Sequence, residues 1–342
     1  MTRSETVDGS KSTISINSST IGSSNNKDKV EEEQENKDDY YIRQETKNVY
    51  DRVGSTASQL HKGNIQKAKL ILKSLFYTDD EISTAGPDIV NYQGVGNPHR
   101  HAHLQPGERV VDMGSGLGVD SIIAAGAVGP TGRVIGVDIS SECVYHAKKR
   151  SRERGMESTL SFVHSPIECI GDQVDSGSVD VIISNGAFCL LPNKKQGFEE
   201  CFRLLRSGGR LAICTTVVKD SLDKDVQWPL CMQTFAKLDD LKKILQDIGF
   251  QDVDIDLSDS SMEVDVPLTD DNDNNNIDGE EDEDTENFST GSGGKDNKSS
   301  NDDDDGSRYK VHHDEGRKRF RHLENFDMNE LCARVVIKGR KP

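Results

Sequence analysis

Val110-Val111-Asp112-Met113-Gly114-Ser115-Gly116-Leu117-Gly118 and Arg133-Val134-Ile135-Gly136-Val137-Asp138 are the two stretches that decide how this chain is read. The first is an apolar strand that ends in an acid and runs into a glycine-rich turn, with a helical stretch after it. Glycine in such a turn lets backbone approach a ligand where a Cβ would collide. The second reads as the next strand and closes on a carboxylate. Asp138 follows Gly118 by about 20 residues, the spacing at which a strand-end acid meets a ribose in a nucleotide-binding βαβ unit.

Asp112 sits directly before the turn, beside any phosphate placed there. Two carboxylates around one pocket argue against a pyrophosphate and for a nucleoside that carries positive charge. S-adenosylmethionine (SAM), with its sulfonium and ammonium, meets that requirement. The competing reading is a nucleotide fold that has lost its ligand.

Outward from these segments the pattern alternates. Strands are expected near 109–113, 133–137, 160–164, 179–184, 209–216 and 251–257, and helices near 119–127, 140–154, 194–206 and 236–248. Residues 205–210, Leu-Arg-Ser-Gly-Gly-Arg, are expected to stop a helix and start a strand, with Gly208 and Gly209 as the C-cap turn. Strand–helix alternation implies an α/β fold with a doubly wound, mostly parallel sheet. A last strand, 333–338, is expected to pair antiparallel with 251–257. Two helices precede the sheet, over 41–60 and over 64–77; in the second, Ile65, Ala68, Leu72, Leu75 and Phe76 share a face. Turn residues at 91–98 end that region.

The chain has 342 residues and a formal charge of −18. Residues 252–306 hold 21 acids against two lysines, which leaves 39 acids against 40 basic residues elsewhere. The body is therefore near neutral and the acidity belongs to one insert. Such a run buries too little apolar surface to offset its ordering entropy. The expected organisation is a disordered polar arm over 1–39, a catalytic domain over 40–261, a disordered acidic insert over 262–306, and a segment over 307–342 that completes the sheet. The insert reads as a solvated spacer or as a docking site for a basic partner. No apolar leader begins the chain and no run approaches membrane-spanning length. Seven cysteines, without a CxxC pair, read as reduced thiols. A cytoplasmic monomer acting on a small molecule is expected, with organelle targeting left open and nucleic acid not expected as a partner.

The chain resembles the class I SAM-dependent methyltransferases and, within them, is most similar to the arsenite methyltransferase family. The segments that carry this are Gly94-Val95-Gly96-Asn97-Pro98, Leu104-Gln105-Pro106-Gly107-Glu108, Val111-Asp112-Met113-Gly114-Ser115-Gly116, Val128 through Asp138, Ile183-Ser184-Asn185, Phe198 through Arg206, and Ile248 through Val253. The resemblance implies a Rossmann-like, seven-stranded sheet with an antiparallel last strand pair. It implies SAM as cofactor. Asp112, Gly114, Gly116 and Gly118 would surround the methionine part, Asp138 the ribose, and Ile139 the adenine face. Ile167 and Glu168 would meet the adenine edge, and Ser184 and Asn185 would face the methyl. Tyr50 matches an aromatic that covers the cofactor and reads equally well as a core residue.

The resemblance also implies trivalent arsenic as acceptor, held by cysteine thiolates as soft ions are. Here Val95 stands in the Gly-x-Gly turn, Gly186 follows Ser184-Asn185, and no cysteine precedes Cys143. Only Cys231 matches in place. Cys189, three residues beyond Gly186, is the other candidate, so the catalytic assignment falls on Cys231 and Cys189. The alternative is a methyltransferase for another small metabolite, such as a quinone or sterol, or a non-catalytic SAM-fold module. His99 and His103, spaced i, i+4, lack a carboxylate or cysteine at ligand spacing, so no metal is assigned and the pair reads as polar surface near the pocket. The basic run Arg317-Lys318-Arg319-Phe320-Arg321-His322 reads as a solvated helix face.

Overall fold

Apolar runs recur from Arg109 onward, and the backbone of the computed structural model follows them. It describes residues 25–60, 65–220, 222, 226, 228, 230–264, 309–310 and 327–342. The chain divides into two units, Met1–Tyr41 and Ile42–Pro342. Helix α1 spans Asn25–Leu60, followed by α2 (Ile65–Ser74), α3 (Asp79–Ala85), a 3-10 segment Gly86–Asn91 and the single turn α4 (His99–Ala102). Then come β1 (Arg109–Met113), α5 (Val119–Val128), β2 (Arg133–Asp138), α6 (Ser141–Glu153), β3 (Leu160–His164), β4 (Val179–Asn185), α7 (Lys194–Leu204) and β5 (Leu205–Val218). The chain continues with α8 (Leu230–Gln233), α9 (Leu238–Ile248), β6 (Gln251–Asp256), β7 (Glu263–Val264), β8 (Tyr309–Lys310), α10 (Met328–Leu331) and β9 (Cys332–Arg340).

Seven strands form one sheet in the order β3-β2-β1-β4-β5-β9-β6. Only β9 runs against the others, antiparallel to both β5 and β6. The central strands are buried on both faces, so they read as unbroken apolar runs rather than as alternation. Their successive side chains nonetheless go to opposite layers. Val111, Met113 and Ile182 join Phe198, Leu204, Leu241 and Leu245 under α7 and α9. Val110, Val181 and Ile183 join Ile122, Ala125, Val144 and Ala147 under α5 and α6.

Local chemistry sets the helix ends. Thr78 and Glu81 form a reciprocal capping box at α3. Ser140 caps α6 by accepting from the Cys143 N–H, and Asn193 caps α7 through Gln196. Gly249 ends α9 in the left-handed region at φ 110°.

The sequence reading needs four corrections. Residues 25–39, assigned to a disordered arm, are the first turns of α1; Glu, Gln and Lys there favour helix without an apolar stripe. Residues 1–24 lie outside the described residues. The helix expected over 64–77 stops at Ser74, because the chain turns at Phe76 (φ 64°), and a separate helix, α3, follows from the Thr78 cap. Residues 205–210 carry no glycine C-cap: α7 ends at Leu204, Leu205 caps it in extended conformation, and Gly208 lies within β5. The acidic insert does not begin at 262, since Glu263 and Val264 pair with Lys310 and Tyr309 as a two-stranded ladder. What lies between, 265–308, and the basic run at 317–322 fall outside the described residues. Among the described residues no helix is long and apolar enough to cross a membrane.

The strand that arrives last in sequence is clamped inside the sheet, so its core residues are central to stability. Ile337, fully buried between β5 and β6, should cost about 3 kcal/mol when changed to Ala. Exposed Tyr145 should cost under about 0.5 kcal/mol on the same change. Urea unfolding of the two variants checks this order.

Candidate functional site

The strand order reverses between β1 and β4. From β1 the chain winds to β2 and β3, then returns to β4 and β5 on the other side. Helices on opposite faces leave a crevice above the carboxyl ends of the strands at such a switch point. A cleft of about 920 Å³, counting its open mouth, lies there. Its walls are the turn Gly114–Leu117 after β1, Asp138 and Ile139 at the end of β2, and Pro166, Ile167 and Glu168 after β3. Asn185, Gly186 and Ala187 after β4, Tyr50 of α1, and residues 91–94 complete them.

The turn is built to meet Asp138. Gly114, Gly116 and Gly118 have φ of 75°, 52° and 89°, the left-handed region that glycine enters without strain. Asp138 Oδ2 accepts from the Gly116 N–H at 2.8 Å, and Oδ1 accepts from the Ser140 N–H at 2.8 Å. Burial pushes the Asp138 carboxyl up, against those two bonds. Asp112 lies deeper. The Ser121 hydroxyl donates to its Oδ2 at 2.5 Å. Its carboxyl is pushed up to about 7, by burial first and then by the nearby Asp120 carboxylate.

Asn185 ties the other wall together. Its Oδ1 accepts from the Val95 N–H at 2.8 Å and the Gly96 N–H at 3.1 Å. Its Nδ2 lies 2.8 Å from Gly96 O and 3.0 Å from Asp120 Oδ2, with the Tyr77 and Tyr92 hydroxyls at 3.1 Å. Tyr92 donates to Gly96 O at 2.6 Å, and Tyr77 donates to Asp120 Oδ1 at 2.6 Å. Glycine at 94 is obligatory for this contact, since a Cβ there would lie 2.1 Å from Asn185 Nδ2.

The structure thus brings Asp112, Gly114, Gly116, Asp138, Ile139, Ile167, Glu168, Asn185 and Tyr50 to one cleft. Glu168 is ion-paired to Arg43 at 2.9 Å, and Tyr50 also packs on Leu117 and Cys143. Three assignments do not reach it. Gly118 caps α5, and a Cβ there would press on Phe162 and Ala147, so the glycine serves packing. Ser184 is fully buried and its hydroxyl donates to Met113 O at 2.6 Å, tying β4 to β1. Cys189 is buried behind the wall, its thiol donating to Gly186 O at 3.1 Å and pushed up by burial. Cys231 lies in α8, with its side chain outside the described residues. His99 is not surface: it is buried, with Nε2 3.1 Å from Asp120 Oδ1, while His103 ends α4 in the left-handed region.

Sequence reasoning missed Asn91, Tyr92, Asp120 and Arg43 as wall residues. Asp120 alone had a signal, two residues beyond the glycine turn in the first turn of α5. The others converge from segments that sequence spacing does not relate.

The Asp112 carboxyl gives a pH test. Its ordinary value is 3.8 and its folded value is about 7, so the native state holds a proton that the unfolded chain releases. Ionising this buried acid costs native stability progressively as pH rises from about 4 to about 7. Asp112→Asn never bears that cost. The ligand-free variant should therefore gain stability over wild type at about pH 8, by a few kcal/mol at most, and much less at about pH 4.5. Thermal unfolding at both pH values reads the widening gap; a gap that narrows as pH rises contradicts it.

Residues 104–256 match a family model described as a methyltransferase domain. An arsenite methyltransferase of Halobacterium salinarum is 36% identical over 187 residues, covering 53% of this chain and 47% of that protein. The arsenite methyltransferase of Mus musculus is 28% identical over 225 residues, covering 61% and 58%. The chain spans about half the length of the curated relatives it matches. A solved arsenic(III) S-adenosylmethionine methyltransferase from Chlamydomonas reinhardtii overlays with a TM-score of 0.48 at 19% identity, over 80% of this chain and 73% of that one; at that score the overlay carries no argument. Sequence motifs, sheet and matched domain agree: residues 104–256 match a methyltransferase domain, carried on a Rossmann-like, seven-stranded sheet of the class I type.

Proposed function

We propose that this chain transfers a methyl group from SAM to arsenite or a related small-molecule acceptor. The observation that carries the reading is the switch-point cleft with a buried carboxylate at each of two strand ends, Asp112 and Asp138. The residues present fit the cofactor. The cleft is large enough for a nucleoside with an amino-acid tail, and Asn91 and Ser115 line it with buried polar groups that have no protein partner. Such groups call for a ligand or water to satisfy them.

SAM, when bound, supplies a methyl on a cationic sulfur that becomes neutral on transfer. Asp138 would hold the ribose hydroxyls, already fixed by Gly116 and Ser140. Ile139 and Ile167 would flank the base, Glu168 its edge, and Tyr50 its open side. Asp112 offers negative charge toward the cationic end. The chain's contribution to the reaction is placement of nucleophile against methyl and exclusion of water. A soft nucleophile such as arsenic needs no base.

The acceptor side is unusual. A Cβ built on Gly186 would come 3.7 Å from Val95 Cγ1. These are two positions at which the family resemblance puts thiols; here neither is a thiol, and Gly186 but not Val95 lines the cleft. Cys189 points away. Three thiolates from the family's positions therefore do not assemble, and any arsenic would depend on Cys231. The nearer relatives, arsenite methyltransferases from archaeon to mammal, support the arsenite type over a quinone or sterol acceptor. The proposal extends to a cytoplasmic monomer, in keeping with six free thiols among the described cysteines.

Calorimetry with S-adenosylhomocysteine tests the cofactor reading. Asp138→Ala should weaken binding by about 2 kcal/mol, roughly thirtyfold; equal binding by variant and wild type overturns the assignment. The acceptor is tested by mass spectrometry of products from trivalent arsenic, free and bound to a small thiol. Activity should be weak and should fall in Cys231→Ser. Robust methylation in both proteins contradicts the dependence on Cys231. No product from either, with cofactor bound normally, contradicts the arsenite acceptor.

A further inference from the structure

We infer that Asn91 is the residue that reads the α-carboxylate on the amino-acid end of the cofactor, an inference that rests on the SAM reading above. Asn91 ends the 3-10 segment before Tyr92 and lines the cleft. It is 2% exposed, and neither its Oδ1 nor its Nδ2 has a hydrogen-bond partner. A buried amide with both ends unpaired is costly, and native structures rarely keep one without a use.

Among the buried side chains of the cleft, this duty falls to Asn91. Asp112 and Asp120 line the same cleft, and they suit an ammonium but repel a carboxylate. A carboxylate brought there needs an uncommitted donor. The turn's amides are spent: Gly114 and Ser115 N–H both donate to Val137 O, and Gly116 N–H donates to Asp138. The Tyr92 hydroxyl donates to Gly96 O, and the Asn185 amide is committed to the 95–96 backbone and Asp120. The other unpartnered buried group of the cleft, Ser115 Oγ, lies 2.8 Å from where a Gly136 Cβ would sit, on the β2 side that ends in Asp138. Asn91 Nδ2 is thus the buried donor left for the carboxylate, and its Oδ1 can accept from the adjoining ammonium.

The geometry also fixes the sign of the stability effect. Replacing an unpaired buried amide by an apolar group of similar shape removes a desolvation cost, so ligand-free protein loses nothing. Asn91→Leu should melt at or above the wild-type temperature without ligand. A residue kept for structure would show the reverse.

Calorimetric titration with two nucleosides tests the assignment. S-adenosylhomocysteine carries the amino-acid end; 5′-methylthioadenosine has the same adenosyl thioether without it. Asn91→Leu should bind the first about tenfold or more weakly and the second as wild type does. Asn91→Asp, which sets a carboxylate against a carboxylate, should lose more than Asn91→Leu on the first and stay near wild type on the second. Asn91→Leu within twofold of wild type on S-adenosylhomocysteine, or equal losses on both ligands, overturns the inference. Wild type that binds neither nucleoside overturns the cofactor reading and this inference with it.

Discussion

The Asn185 side-chain amide is the contact on which the site depends. A residue at the end of β4 accepts from two consecutive backbone N–H groups of the 94–96 turn and reaches a carbonyl of the same turn. Those backbone groups are partly buried, so losing the amide would leave several unpaired at once. The clamp sets how closely Val95 approaches Gly186, which lines the cleft. Arg334 holds the turn from its other side, donating from Nη1 to Val95 O at 2.9 Å. That arginine lies on β9, so the last strand helps hold the turn that Asn185 clamps.

Charge is the second organising constraint. Asp112, Asp120 and Asp138 are all buried near the cleft, and hydrogen bonds from Ser121, Tyr77, His99, Gly116 and Ser140 offset only part of the cost. Acids crowded in this way favour a cationic ligand and make the empty site less stable than a neutral one. Binding sites commonly carry such a stability cost. The unpartnered Asn91 amide belongs to the same pattern: polar groups are held dry and waiting for a ligand whose charges complement them.

The proposed acceptor side departs from the pattern that the resemblance implies more than the proposed cofactor side does. Gly116, Asp138, Ile139 and Glu168 all line the switch-point cleft. Val95 and Gly186 stand where the resemblance puts thiols, and Cys189, which sequence distance made a candidate substitute, donates to the carbonyl of Gly186 instead. A thiol three residues away in a short 3-10 turn (Phe188–Leu190) points wherever that turn aims it, and here it is buried.

The sequence by itself determined the α/β alternation, the strand positions and the pairing of the last strand with β6. Each of these is written in local periodicity, in apolar runs and in turn chemistry. It also marked the turn from Asp112 to Gly116 and the acid at Asp138, because close backbone approach and a strand-end carboxylate leave a signature in residue type. Only the tertiary structure decided which residues share the cleft. Gly118 and Ser184 belong to the right motifs but face packing interfaces, a distinction set by one turn of helix or one step along a strand. Asn91, Tyr92 and Arg43 come from segments far from the glycine turn, and their convergence depends on how helices pack over the switch point rather than on any spacing. The same holds for Asn185: its type and place were legible, but its partners at Val95 and Gly96, some 90 residues earlier, exist only once the sheet and its covering turn are assembled.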